Sequence, residues 1–102
     1  MEPAKQRMSG SAMKVFKVLD VLERNFVHGF APTDIATETG FTLSAINGYV
    51  NTLIEAGRAE RIQETGRVRV SHKAAQKAVQ ILHSLDEAER KLTESRTRIT
   101  RG

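Results

Sequence analysis

The stretch Pro32-Thr33-Asp34-Ile35-Ala36-Thr37-Glu38-Thr39-Gly40-Phe41-Thr42-Leu43-Ser44-Ala45-Ile46-Asn47-Gly48-Tyr49-Val50 decides the fold. Pro32 stands where a missing N–H costs nothing, at the first position of a helix, and Asp34 lies near the positive end of that helix's dipole. Ile35 and Ala36 form the inward side of this short helix. Gly40 stops it, because glycine tolerates the left-handed backbone of a helix end, and Thr42 is an N-cap for a new helix. Two helices thus meet across a three-residue turn. The second carries Ile46, Val50, Leu53 and Ile54 on one face and ends at Ala56-Gly57. Ser44, Ala45, Asn47, Gly48 and Asn51 face elsewhere, and Tyr49, beside the apolar face, is expected to pack its ring inward.

Upstream, Val15, Val18, Leu19, Leu22 and Phe26 recur at three- and four-residue steps, which predicts a helix over 12–26 capped by Ser11 and broken over Asn25 to Gly29. Residues 1–10 read as a flexible leader. Downstream, Ala59-Glu60-Arg61-Ile62 and Arg67-Val68-Arg69-Val70 flank Gln63-Glu64-Thr65-Gly66, which predicts a β-hairpin. Alternation puts Val68 and Val70 on one face and Arg67 and Arg69 on the other.

From Ser71 to about Ser95 the residues are strong helix formers without Pro or Gly, so a long final helix is expected. Ala75, Ala78, Leu82, Leu85 and Leu92 fall at alternating three- and four-residue steps, interrupted by Glu89, like a heptad seam. Residues 96–102 show no packing pattern and are expected to fray. The expected organisation is a leader over 1–10, a winged helix-turn-helix domain over 11–71, a dimerisation helix over 72–95 and a disordered basic tail over 96–102. Helix, short helix, turn, helix and hairpin is the order of a winged helix-turn-helix. The fold class is mainly α with a small β-hairpin, extended by a long C-terminal helix.

Val18-Leu19-Asp20-Val21-Leu22-Glu23, then Asp34 through Ile46, Val50 through Gly57, and Glu64-Thr65-Gly66-Arg67-Val68-Arg69-Val70 together resemble the N-terminal DNA-binding domain of IclR-type regulators. The resemblance covers about residues 12–71 without insertion and implies a transcription regulator whose second helix of the turn reads the major groove. Two positions depart from the family. Leu43 stands where a basic residue is usual, and Gly48 where an Arg is usual near the middle of the recognition helix. Whole IclR-type proteins add a large effector-binding domain that these residues lack, so ligand control is not implied.

No Lys or Arg occurs between Arg24 and Arg58, which leaves the recognition helix short of phosphate-binding charge. Base readout can run through Thr42, Ser44, Asn47 and Asn51, with Ala45 and Gly48 beside them, since Asn pairs with the N6 and N7 edge of adenine and hydroxyls accept several partners. Thr42 serves first as the helix cap. Arg61, Arg67 and Arg69 can supply phosphate contacts from the hairpin, which fix register and affinity without reading sequence, or can simply solubilise it. Lys14, Lys17 and the tail residues Arg96, Arg98 and Arg101 can add long-range attraction.

The seam of Ala75, Ala78, Leu82, Leu85 and Leu92 lacks a partner once three helices and a wing close a core. Self-association buries it and presents two recognition helices to a two-fold operator, whereas folding back on the first helix is the alternative. The main expectation is therefore a sequence-specific double-stranded DNA-binding regulator acting as a homodimer through its C-terminal helix. A winged-helix module that binds protein through an uncharged recognition helix is the competing reading, favoured by Leu43 and Gly48.

Composition sets the outer limits. At 102 residues, with 39% hydrophobic and 27% charged residues, the chain suits one compact domain with tails. The net charge of +4 favours an anionic partner. That excess is C-terminal: residues 1–60 hold six Lys/Arg against seven Asp/Glu, and residues 61–102 hold ten against five. Cysteine is absent, which excludes a disulfide framework, a thiolate zinc site and a cysteine nucleophile, and suits a reducing cytoplasm. No apolar run reaches the roughly 20 residues that span a bilayer, and no signal peptide is read at the N-terminus. A cytoplasmic protein without membrane attachment is expected. His28, His72 and His83 fall in no ligand or triad spacing, and Gly40, Gly48 and Gly57 are ascribed to helix ends and close packing rather than to a phosphate loop. Neither catalytic residues, nor a metal, nor a cofactor is expected.

Overall fold

A computed structural model describes residues 6–101. The chain divides into two compact units between Ser71 and His72. In the first, helix α1 spans Gly10–Leu22, α2 Pro32–Thr39 and α3 Leu43–Glu55, followed by strands β1, Ala59–Arg61, and β2, Val68–Val70. Helix α3 packs on α1, α2 and β1, and β2 packs on α1. The core holds Val18, Val21 and Leu22 from α1, Ile35 from α2, Ile46, Val50 and Leu53 from α3, and Ala59 and Val68 from the strands. Each fully buried Val, Leu or Ile stabilises the fold by about 1.5–3 kcal/mol relative to an exposed one.

The helix-turn-helix forms as its sequence dictates. Pro32 opens α2, and Gly40, at φ 75°, caps it with its N–H donating to the Ala36 carbonyl at 2.9 Å. Thr42 Oγ1 accepts from the Ala45 N–H at 3.2 Å and starts α3, while Gly57 takes φ 76° just beyond its end. The rings of Tyr49 and Phe41 meet edge to face at 5.9 Å, so Tyr49 packs inward as expected.

Helix α1 differs from its expected span at both ends. Its cap is Ser9, not Ser11: Ser9 Oγ accepts from the Ala12 N–H, which starts the helix two residues earlier, at Gly10. It stops at Leu22 rather than 26 because Asn25 organises a tight turn. The Asn25 Oδ1 accepts from the His28 N–H at 3.1 Å, and its carbonyl accepts from the Gly29 N–H at 3.0 Å. Phe26 therefore leaves the core face and is 37% exposed. Of the leader expected over 1–10, residues 1–5 lie outside the described residues and Gly10 already belongs to α1.

The strands pair antiparallel, with Ala59 opposite Val70, Glu60 opposite Arg69 and Arg61 opposite Val68. Each is one residue shorter than expected at the turn. A third element, invisible to period-two patterning because it is a single residue, joins them. Phe30 bridges Val68 through two hydrogen bonds of 2.8 Å, tying the segment before α2 to the hairpin.

The second unit is helix α4, His72–Arg101. Its 30 residues make a rod about 45 Å long. It runs through the segment expected to fray. Neither Gly nor Pro interrupts residues 96–101, the hydroxyls of Thr97 and Thr100 bond back to the carbonyls of Thr93 and Arg96, and Arg98 and Arg101 complement the negative end of the helix dipole. Gly102 lies outside the described residues.

Candidate nucleic-acid interface

Burial of Ile46, Val50 and Leu53 fixes which side of α3 reaches solvent. Leu43, Ser44, Asn47, Gly48, Asn51, Thr52 and Glu55 are exposed and recur at four-residue steps, so they share one face. Ala45 is half-buried at its edge, and Thr42 is exposed as the cap. Ser44, Asn47 and Asn51 thus stand together as the sequence suggests, on a helix whose far side is locked into the core. Thr52 joins them, with its hydroxyl donating to the Gly48 carbonyl at 3.0 Å. Sequence reading missed Thr52, although a four-residue step from Gly48 marks it. Leu43 is 45% exposed at the head of the same face.

Gly48 does not sit in close packing. A Cβ built there would meet nothing within 4 Å, and its φ is not in the left-handed region. Neither space nor backbone shape within the chain requires a glycine at this position.

The wing arginines have work inside the chain. Arg67 donates through Nε to the His28 carbonyl at 3.0 Å and through Nη2 to the Gly29 carbonyl at 2.9 Å, with Asp34 3.9 Å away. Arg69 pairs with Glu60 at 3.1 Å, lies over the Phe26 ring at 5.6 Å, and keeps only 22% of its side chain exposed. Arg61 differs from both. Its cross-strand partner is Val68, so it lies on the Val68 face and not on the face of Arg69. It is exposed at the hairpin end, with a single long contact of 3.4 Å to the Gly66 carbonyl. Arg67 and Arg69 line an open concavity with Asn25, Val27, His28, Ile62 and Thr65.

One cation does stand near the start of α3. Lys14 of α1 holds its Nζ 5.7 Å from the Phe41 ring centroid, and Phe41 immediately precedes the Thr42 cap. Lys14 is 27 residues away in sequence from Phe41, and no local pattern could pair them.

On α4 the expected seam residues Leu82, Leu85 and Leu92 are exposed, Leu85 to 62%, and Ala75 is half-buried. Ile99 continues their spacing at 78% exposure. Among the described residues no group of three His, Cys, Asp or Glu could hold a metal ion, and no helix is long and apolar enough to cross a membrane.

No family model and no curated protein matches the sequence. Among solved structures, the crystal structure of Pseudomonas aeruginosa HmgR is similar, with a TM-score of 0.65 and 21% identity over 74% of this chain and 31% of that one. The chain has the winged helix-turn-helix fold. It spans about a third of the HmgR chain, and the likeness extends to architecture alone.

Proposed function

We propose that the chain is a sequence-specific double-stranded DNA-binding regulator of transcription that acts as a homodimer through α4. The observation that carries this reading is the exposed face of α3, where Ser44, Asn47, Asn51 and Thr52 offer hydrogen bonds on a helix anchored from behind by Ile46, Val50 and Leu53. A rigid helix with uncharged donors and acceptors at four-residue steps suits base edges in a major groove, and each Asn can pair with adenine. The IclR-type pattern over residues 12–71 supports the same role. Phosphate contact falls to Lys14 at the start of α3, to the exposed N–H groups of that helix end, and to Arg61 on the hairpin. Arg67 and Arg69 hold the wing in shape.

Binding to random duplex DNA across a salt series tests this. Affinity should fall steeply as salt rises, and selection from a random pool should return one motif. Absence of binding even at low salt removes the proposal.

A second reading has its own support. Exposed Leu43, the bare surface at Gly48 and the internal engagement of Arg67 and Arg69 suit a protein-docking face better than a polyanion. A partner protein competing with duplex DNA for α3, or retained when DNA binding is absent, favours this alternative.

A further inference from the structure

Helix α4 has no buried residue, and its exposed seam is longer than the sequence suggests. With the helix running to Arg101, Ala75, Leu82, Glu89 and Arg96 occupy one heptad position, and Ala78, Leu85, Leu92 and Ile99 the other. Two charges thus interrupt an apolar stripe. Among the described residues neither Glu89 nor Arg96 forms an ion pair in its own chain. The outward face is different, because Arg90 is paired there with both Glu87 and Glu94. Arg90 on the outward face is thus paired within its own chain, whereas Glu89 and Arg96 on the seam are not.

We propose that α4 pairs antiparallel with α4 of a second copy, in the register that sets Glu89 beside the partner's Arg96. This rests on the dimerisation proposed above and specifies its geometry. A parallel, in-register pair matches each seam residue with itself, so it places Glu89 against the partner's Glu89 and Arg96 against the partner's Arg96. Like charges in a seam are unfavourable, and the two layers would repel. An antiparallel pair matches the two heptad positions with each other. With Leu82 facing the partner's Ile99, Leu85 packs on the aliphatic stem of the partner's Arg96, and Glu89 faces the partner's Leu92. Glu89 and the partner's Arg96 are then offset by one layer, about 6 Å along the axis, within reach of two long side chains. The two Glu89 residues also stand one layer apart, about 4.5 Å along the axis, so two opposite-charge contacts oppose one like-charge contact. Sliding by one heptad so that Ala75 faces the partner's Ile99 moves the opposite charges about 16 Å apart and leaves the two Glu89 residues in adjacent layers. Sliding the other way sets the two Arg96 residues in adjacent layers and leaves Leu82 and Leu85 beyond the partner's described residues. Opposite charges, together with coverage of the exposed Leu82, Leu85 and Ile99, therefore select direction and register.

Charge reversal in the full chain, read by sedimentation equilibrium, tests the pairing. Glu89→Arg and Arg96→Glu should each raise the dimer dissociation constant about tenfold, from two symmetry-related pairs, and the double reversal should restore it. The chain has no cysteine, so introduced thiols report cleanly. Leu82→Cys alone should fail to form a disulfide-linked dimer, whereas a mixture of Leu82→Cys and Ile99→Cys chains should form one. A dimer in which Leu82→Cys links to itself, or in which the double reversal gives no rescue, overturns the antiparallel register and leaves dimerisation standing. A wild-type chain that stays monomeric overturns both.

Discussion

Arg67 and Gly29, 38 residues apart, are joined by a hydrogen bond of 2.9 Å from the Arg67 guanidinium to the Gly29 carbonyl. A second bond from the same guanidinium reaches the His28 carbonyl, so Arg67 clamps the turn after α1 onto the hairpin. Hydrogen bonds with one charged partner contribute about 1.5–3 kcal/mol when shielded, and partial exposure of Arg67 reduces this. The ion pair with Asp34, at 3.9 Å and exposed, adds little. Arg67→Ala should therefore destabilise the fold by about 1–2 kcal/mol, whereas Arg61→Ala should stay within about 0.5 kcal/mol of wild type. Urea midpoints measure both, and equal midpoints would contradict a clamp.

Gly29 itself gives a sharper contrast. Its φ is +64°, and an added Cβ would lie 2.3 Å from the Val68 carbonyl oxygen, the acceptor that binds the Phe30 N–H. Gly40 has a similar φ of +75° but open space around it. Gly40→Ala should cost only the left-handed backbone penalty of about 1–2 kcal/mol. Gly29→Ala adds displacement of the Phe30–Val68 bridge and should cost about 3 kcal/mol or more. Thermal unfolding of the two variants side by side separates backbone strain from steric overlap.

These two relationships mark the limit of what the sequence carries. Caps and breaks written in adjacent residues were legible: Pro32, Gly40, Thr42 and Gly57 act as their chemistry requires. The apolar repeat identified Val18, Leu22, Ile46 and Val50 as core, yet it also enlisted Phe26, because a period cannot register that Asn25 ends the helix. The exposed face of α3 followed from its buried face. In the wing, alternation assigns faces but not partners. Glu60 lies opposite Arg69 and the Gly29 carbonyl near Arg67 only once the hairpin register and the Phe30 bridge exist. The frayed tail was inferred from a lack of apolar pattern, whereas the helix runs on to Arg101 with neither Gly nor Pro to stop it and with Arg98 and Arg101 at the negative end of its dipole.

The division of labour between α1 and α3 is testable by the pattern of loss. Lys14 adjoins the start of α3 but faces no base edge in the proposed docking, so Lys14→Ala should weaken every duplex about equally and lower the magnitude of the salt slope by about 1. Asn47, central on the exposed face, should behave differently. Asn47→Ala is expected to cost about 1–3 kcal/mol at a single base position and leave affinity for unrelated duplexes unchanged. Binding titrations against a set of singly substituted sites measure both effects. A uniform loss for Asn47→Ala would remove it from base readout.

Gly48 poses the question of what the exposed face of α3 is for. A glycine in a helix interior destabilises by about 0.5–1 kcal/mol relative to alanine. A Cβ at this position meets nothing within 4 Å and the backbone is not left-handed, so the fold gains nothing from the missing side chain. Gly48→Ala should therefore raise stability by up to about 1 kcal/mol. If α3 brings its backbone close to a groove or a partner surface at this point, the same methyl should hold the two apart and lower affinity. A variant that is more stable and binds more weakly would show that the bare helix surface at Gly48 is occupied in the complex. If the variant gains stability and keeps full affinity for the selected site, contact must instead be confined to the flanking Ser44, Asn47 and Asn51 side chains, and close approach at Gly48 is excluded.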